Sequence, residues 1–111
     1  MKYLLMICPD PSANVSPEEA DPEPWGQEMD RRGITIMGSR LRPRTASTSV
    51  SVREGELTVT DGPFAEAKEE FAGFDIIECA DLDEAIEVAS KHPVAKFGSV
   101  EIRPFWPFDE D

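Results

Sequence analysis

The sequence lacks the motifs by which cofactor and metal sites are usually recognised. Its 111 residues include one histidine and two cysteines. They contain no phosphate-binding loop, metal-ligand cluster, nucleophile elbow or dinucleotide-binding glycine pattern. We therefore expect no cofactor and no metal, and any catalysis that these residues support is acid–base chemistry of side chains alone.

Basic residues are also scarce. Eleven lysines and arginines stand against 23 aspartates and glutamates, which gives a net charge of −12. A protein that binds nucleic acid needs a basic surface to displace the counterions of the phosphate backbone, and anionic membranes likewise repel an acidic surface. We expect neither nucleic acid nor a membrane surface as a direct partner, whereas the charge suits a basic protein partner.

Long apolar runs are missing as well. No run approaches the roughly 20 residues of a membrane-spanning helix. Residues 3–8 are apolar and follow Lys2, but this run ends at Pro9-Asp10 and lacks a small-residue cleavage site. We expect a cytoplasmic protein.

Apolar residues in continuous or alternating patterns predict six strands. The first is apolar throughout, as in a strand that is buried on both faces. The third and fourth alternate small polar and β-branched residues around a glycine-containing turn, which predicts a half-exposed hairpin. Gly38 predicts a bulge or a close backbone approach within the second strand. The predicted strands are residues 2–8, 34–41, 45–52, 56–60, 74–79 and 98–103.

The first helix is predicted late in a proline-rich segment. Ser16-Pro17 has the pattern of a helix start, but the prolines that follow prevent that helix from continuing. A second start carries a helix over residues 25–32, which ends at Gly33. Trp25 and Met29 are four residues apart, so we expect them to share the face that covers the sheet.

The second helix is predicted from its capping residues. Asp81 is a typical N-cap, and Glu84 three residues later completes a capping box. His92-Pro93 ends the helix. We expect His92 to lie at the helix C-terminus, where the helix dipole favours a cation.

The order of elements predicts the fold class. Two β-α-β halves with a hairpin between them describe an α+β, ferredoxin-like split βαβ fold with both helices on one face of an antiparallel sheet. The other sheet face is then uncovered, so we expect a homodimer that buries sheet against sheet. The aromatic and acidic tail, residues 104–111, is a candidate to cross that interface.

This layout also separates the two cysteines. Cys8 ends the first strand and Cys79 ends an antiparallel neighbour, so they lie at opposite edges of the sheet, roughly 20 Å apart. That distance is beyond disulfide reach. We predict two buried, free thiols.

Candidate site residues fall in two places. In Asp61-Gly62-Pro63, the aspartate either caps a turn or acts as a positioned carboxylate at a pocket mouth. Glu66 and Lys68 after it form either a solvated face or a functional contact. Glu101 and Arg103 share one face of the last strand, where they form either a structural salt bridge or a site at which Arg103 receives a substrate carboxylate.

Three blocks of the sequence resemble the signature of one family. Residues 61–69 (Asp-Gly-Pro-Phe-Ala-Glu-Ala-Lys-Glu) are followed by Gly73-Phe74, by residues 81–85 and by residues 100–104. In this order they are similar to the YCII-related, or DGPF-domain, family of small bacterial proteins. The resemblance extends over nearly the whole chain, which indicates one domain over residues 1–111.

The resemblance carries its own expectations. It implies a ferredoxin-like α+β fold that dimerises into an α/β barrel. Members are proposed to act as small enzymes or to accompany extracytoplasmic-function sigma factors in transcription, and a distant branch dehalogenates chlorinated muconolactones. The wider superfamily uses a histidine on the first helix as part of a His–Asp pair. Residues 25–32 contain no histidine, so that pair does not transfer to this chain.

Two functions follow from these observations. The first is a small-molecule-binding homodimer with a pocket between helix and sheet and with cofactor-independent acid–base catalysis left open. Its catalytic candidate is Asp61, and its ligand-binding candidates are Phe64, Glu66, Lys68, Glu101 and Arg103. The alternative is a non-catalytic interaction module that binds another protein such as a sigma factor.

Overall fold

A computed structural model describes residues 1–62 and 71–110 of the chain. Its elements are antiparallel strands and two helices, so the α+β class is confirmed. Each strand lies within three residues of its predicted bounds. In chain order the elements are β1 (Lys2–Pro9), α1 (Glu23–Arg31), β2 (Thr35–Arg40), β3 (Thr48–Arg53), β4 (Glu56–Asp61), β5 (Gly73–Glu78), α2 (Leu82–Ser90) and β6 (Gly98–Pro104).

Four of the strands form one antiparallel sheet in the order β2–β5–β1–β6. Its core lies on the face that the two helices cover, because alternate β1 residues such as Leu5 are fully buried there together with Met29 of α1 and Val88 of α2. Trp25 and Met29 are both buried in this core, which confirms their predicted shared face. The opposite face, here called the open face, carries half-buried Leu4 and Met6.

The helix ends follow the predicted signals. Gly33 after α1 has φ = 68°, a conformation that favours glycine. The Asp81 side chain accepts the backbone N–H of Glu84 at 2.9 Å, and the Glu84 carboxylate accepts the N–H of Ala80 at 2.8 Å. Ser16 starts only a single turn, in which its Oγ accepts the N–H of Glu19 at 3.2 Å.

The second strand contains an irregularity that changes which side chains face the core. Thr35 pairs with Ile77 but Met37 pairs with Ile76, so Ile36 is an extra residue. Its side chain is 50% exposed, because the bulge rotates it outward. Gly38 makes the close approach that its position predicts.

Both cysteines are buried, and neither forms a disulfide. Cys8 pairs with Ser99 near one end of β1, whereas Cys79 donates its backbone N–H to Met1 at the other end. The prediction of no disulfide is confirmed.

The strands β3 and β4 form a separate two-stranded hairpin. Its turn places Glu54 and Gly55 at φ = 52° and 81°, as in the two-residue turns that suit hairpin twist. Cross-strand pairing brings four apolar side chains onto one side of the ribbon, each between 57% and 66% exposed. We call this side the hairpin face; its members are Val50, Val52, Leu57 and Val59.

The molecule is flat as a result. Its principal extents are 48 × 43 × 19 Å, and the chain exposes 8291 Å². A compact 12.3 kDa monomer would expose about 6,100 Å². Within residues 1–62 and 71–110, no helix is long and apolar enough to cross a membrane.

Candidate functional site

A cavity of about 390 Å³ lies between the helices and the covered face of the sheet. We call it the helix–sheet pocket. Trp25 and Gly26 of α1, Ile7 of β1 and Val94 supply apolar walls. Ala72 and Gly73 leave this part of the sheet without large side chains, and the space that they do not fill is the pocket.

Asp75 is the carboxylate of this pocket. It occupies an inward-facing position of β5, opposite Leu5 on one side and Gly38 on the other. A Cβ atom at Gly38 would collide with the Asp75 carboxylate, so the glycine makes room for it. Burial and, to a smaller extent, the nearby negative charge of Asp30 together raise the pKa of Asp75 to about 6.

This carboxylate is unpaired among the residues that the structure describes: none of their hydrogen bonds or ion pairs reaches it. Asp75 therefore bears a desolvation penalty without a compensating contact. A carboxyl group whose pKa lies close to neutrality can both accept and release a proton under ordinary conditions.

His92 reaches the same pocket from the end of α2. Only 3% of the residue is exposed, and its Nδ1 accepts the backbone N–H of Val94 at 3.1 Å. The neutral ring therefore carries its proton on Nε2. Burial lowers the pKa of His92 to about 4. The expectation of a histidine cation stabilised by the helix dipole is wrong, because desolvation outweighs the dipole.

Trp25 holds this histidine in place. The two rings meet edge to face with centroids 4.9 Å apart, and the indole N–H of Trp25 donates to the backbone oxygen of Val88 at 2.9 Å. The tryptophan thus bridges α1 and α2 while its ring lines the pocket. Two longer side chains, Glu23 and Arg40, also line it, and both are exposed.

The arrangement provides three kinds of contact for a ligand. Asp75 is a proton acceptor with a nearly neutral pKa, the Nε2–H of His92 is an uncharged donor, and Trp25 with its neighbours gives an apolar surface. The elements that carry Asp75 and Trp25 belong to the packed core, so the groups are held rigidly. No cluster of histidine, cysteine, aspartate and glutamate suited to a metal ion occurs in the described part of the chain.

Three of the residues named from the sequence lie elsewhere. Asp61 ends β4 and is exposed. Arg103 donates to the Glu101 carboxylate at 2.7 Å on exposed β6, and register places this pair on the open face beside Leu4 and Met6. None of these three lines the helix–sheet pocket. Phe64, Glu66 and Lys68 lie outside the described residues.

Sequence reasoning missed Asp75 and His92, although signals for both are present. Asp75 has the same strand parity as Ile77, so an alternating pattern already places its charge on the covered face. For His92 the signal is weaker. This residue lies between the apolar stripe of α2 and Pro93-Val94, a position that fits a buried turn as well as an exposed helix end.

Two comparisons give the relationships of the chain. A family model described as the YCII-related domain matches residues 1–109. An uncharacterised protein of Rhizobium meliloti (strain 1021) is 47% identical over an alignment of 104 residues, and the match covers 78% of this chain and 84% of that protein.

Proposed function

Because this chain belongs to the YCII-related family, we propose that it is a small-molecule-binding protein whose ligand occupies the helix–sheet pocket. One observation carries the proposal: a half-buried, unpaired carboxylate with a pKa of about 6 lines a largely apolar cavity. The volume falls at the lower end of the range for small-molecule sites.

The same groups suit acid–base chemistry without a cofactor. Asp75 would exchange a proton with the ligand, and the Nε2–H of His92 would donate to a ligand oxygen as an uncharged group. Paired groups whose environments separate their pKa values commonly divide the roles of acid and base in this way. Catalysis requires more than binding: Asp75 must gain and lose a proton while the ligand is bound.

We further propose that the protein is a homodimer of ferredoxin-like chains arranged as an α/β barrel. The sheet order β2–β5–β1–β6 with both helices on one face supports the ferredoxin-like topology. The surface exceeds that of a compact monomer by about 2,000 Å², which is within the area that a subunit of an obligate homodimer buries. The open face and the hairpin face supply apolar surface for such contact.

A second location and a second function are the alternatives to this proposal. The predicted site at Asp61, Phe64, Glu66 and Lys68 with Glu101–Arg103 remains an alternative binding location. The exposed hairpin face favours an interaction module that binds another protein, such as a sigma factor.

The binding proposal is tested by a fragment screen followed with ligand-observed NMR. We expect hits in wild type that weaken at least tenfold in Asp75→Asn and in Trp25→Phe, with Asp61→Asn and Arg103→Ala as matched controls elsewhere. Loss in the two controls with retention in Asp75→Asn would move the site to the alternative location.

The assembly is tested by light scattering coupled to size-exclusion chromatography. We expect twice the 12.3 kDa chain mass for wild type and the single mass for Leu57→Asp. A single mass for wild type at all concentrations would refute the dimer. Binding of a purified sigma factor that Leu57→Asp abolishes would then favour the interaction module.

A further inference from the structure

The charges around the helix–sheet pocket are unbalanced. Two carboxylates line it, Glu23 and Asp75, and Asp30 is close enough to act on Asp75. Among the described lining residues, Arg40 is the one that carries a positive charge at neutral pH, since His92 is neutral there. Among the described residues no cation acts on the pKa of Asp75, so Arg40 does not neutralise it.

We propose that the ligand of this pocket is an organic cation: an amine that is protonated at neutral pH and carried on a compact aromatic or branched aliphatic body. This inference rests on the proposed function, because it names the ligand class of the same site. The ammonium group pairs with Asp75, and the apolar body lies against Trp25 and Val94.

Asp75 positions the ammonium group of the ligand. The carboxylate leans toward Gly38, which has no side chain to obstruct it, and the described residues offer it no hydrogen-bond donor. An ammonium group supplies both the charge and the donors that are missing, and an ion pair that is partly removed from water is stronger than one on the surface.

Trp25 provides the surface against which the apolar body of the ligand packs. Its indole N–H is already engaged with Val88, so what the ring offers the pocket is apolar and π surface. Aromatic rings pack favourably against such surface, and a cation close to an indole face gains further attraction. The Nε2–H of His92 remains available for an acceptor on the ligand, such as a hydroxyl or ether oxygen.

An anionic ligand fits these groups less well. Arg40 lies at the end of edge strand β2 and is exposed, so it could hold an anion only at the rim. Inside the pocket the anion would meet Asp75, and at the rim it would meet the exposed carboxylate of Glu23 as well as Arg40. The net charge of −12 attracts cations and repels anions during approach as well.

The assignment implies a definite pH dependence. Among the described residues, Asp30 of α1 acts on the charge of Asp75, and Glu23 of α1, Arg40 of β2 and His92 after α2 are the other charged or titratable groups that line the pocket. Above pH 5 His92 stays neutral, because burial lowers its pKa to about 4. Ionisation of Asp75 therefore controls binding, and amine affinity should fall about tenfold from pH 7.5 to pH 5.

The test uses three probes of one shape: phenethylamine, phenethyl alcohol and 3-phenylpropanoate. Their affinities are measured by ligand-observed NMR on the full chain. At pH 7.5 we expect the amine to bind at least tenfold more tightly than the alcohol, and the anion to bind most weakly. Asp75→Asn should reduce the affinity of the amine to that of the alcohol, whereas Asp61→Asn, outside the pocket, should leave the ratio unchanged.

The outcomes separate this inference from the proposed function. Equal binding of amine and alcohol, with no pH dependence, would overturn the cation assignment and leave the pocket intact. Tightest binding of the anion, lost in Arg40→Gln, would overturn it in favour of an acid ligand. Binding of no probe at all would refute both the assignment and the site. A thermal melt of each variant establishes that it is folded.

Discussion

The helix-covered sheet and the β3–β4 hairpin bury their apolar side chains to opposite extents. In the covered sheet Leu5, Met29 and Val88 are fully buried. On the hairpin, the apolar side chains are neighbours across the two strands but remain more than half exposed, because no other described element covers them; they are Val50, Val52, Leu57 and Val59. A two-stranded ribbon is marginally stable by itself.

This difference separates what the chain stabilises internally from what it leaves for contact. The covered sheet has its own core, and Asp75, His92 and Trp25 are attached to that core. The hairpin contributes apolar surface without a core of its own. We therefore expect substitutions in the first region to change stability and substitutions in the second to change association.

The largest expected effect is the loss of a core side chain. Met29→Ala should lower the free energy of unfolding by about 3 kcal/mol, because it removes a fully buried side chain and leaves a cavity. Val59→Ala on the hairpin face should change it by less than about 0.5 kcal/mol in the monomer.

Urea denaturation at two protein concentrations measures both variants. A concentration-dependent loss for Val59→Ala would show that the hairpin face is covered in the assembly. Equal losses for the two variants at high dilution would contradict the comparison.

The second effect concerns the approach of Gly38 to Asp75. Gly38→Ala should cost about 2 kcal/mol, since its Cβ would meet the Asp75 carboxylate and lie 2.8 Å from the backbone oxygen of Phe74. Gly26→Ala is the matched control: nothing lies within 4 Å of its Cβ position, and alanine favours the helix by about 0.5–1 kcal/mol. Thermal unfolding measures the stability of both variants. A change of the same sign in the two free energies of unfolding would contradict the close approach.

The third effect is the opposite pH response of Asp75 and His92. The folded-state pKa of Asp75 is raised to about 6, so its contribution to stability is greatest below pH 4 and falls as pH rises to 6. The folded-state pKa of His92 is lowered to about 4, so its contribution is lost as pH falls from 6.5 to 4.

Single variants separate these two responses. Asp75→Asn should raise stability by about 1 kcal/mol at pH 7.5, after allowance for partial exposure, and should have little effect at pH 4. His92→Gln should weaken the dependence on pH in the acid range. Guanidinium unfolding from pH 4 to 7.5 tests both, and a destabilised Asp75→Asn at pH 7.5 would mean that the carboxylate has a stabilising partner.

The smallest effect belongs to the ion pairs between the helices. Arg32 of the α1 C-cap donates to the Glu87 carboxylate of α2 at 2.6 Å, and Lys91 lies 3.3 Å from it, which lowers the pKa of Glu87 to about 2. Exposed pairs contribute little, so Glu87→Gln should lose about 0.5 kcal/mol. Thermal unfolding of wild type and Glu87→Gln measures this loss, and in 1 M salt the difference in stability should disappear. A difference that persists in 1 M salt would show that Glu87 stabilises the fold through packing and not through charge.

The fold was predictable because its signals are local. The apolar run of β1, the cap at Asp81 and the glycine at position 33 each determine one element from a few neighbouring residues. The exposure of Ile36 was not predictable in this way, because it depends on how β2 pairs with β5, and pairing register is not a local property.

The candidate site was less predictable for the same reason. Asp75 and His92 come together only after the strand order and the turn beyond α2 are established, and the desolvation that shifts their pKa values belongs to the packed chain. The charges that are prominent in the sequence, Glu101 and Arg103, satisfy each other on an exposed strand. A pattern of residue types cannot distinguish a paired charge from an unpaired one.

The strand order also determines where the protein resists hydrogen exchange. β1 and β5 are the two interior strands, so their amide protons should exchange only when the whole sheet opens. Asp75 lies on β5, and a ligand held there would slow exchange throughout both strands by the factor by which it stabilises the folded state. The hairpin amides, which open separately, would not respond, and occupancy of the pocket could thus be measured from the backbone without labelling the ligand.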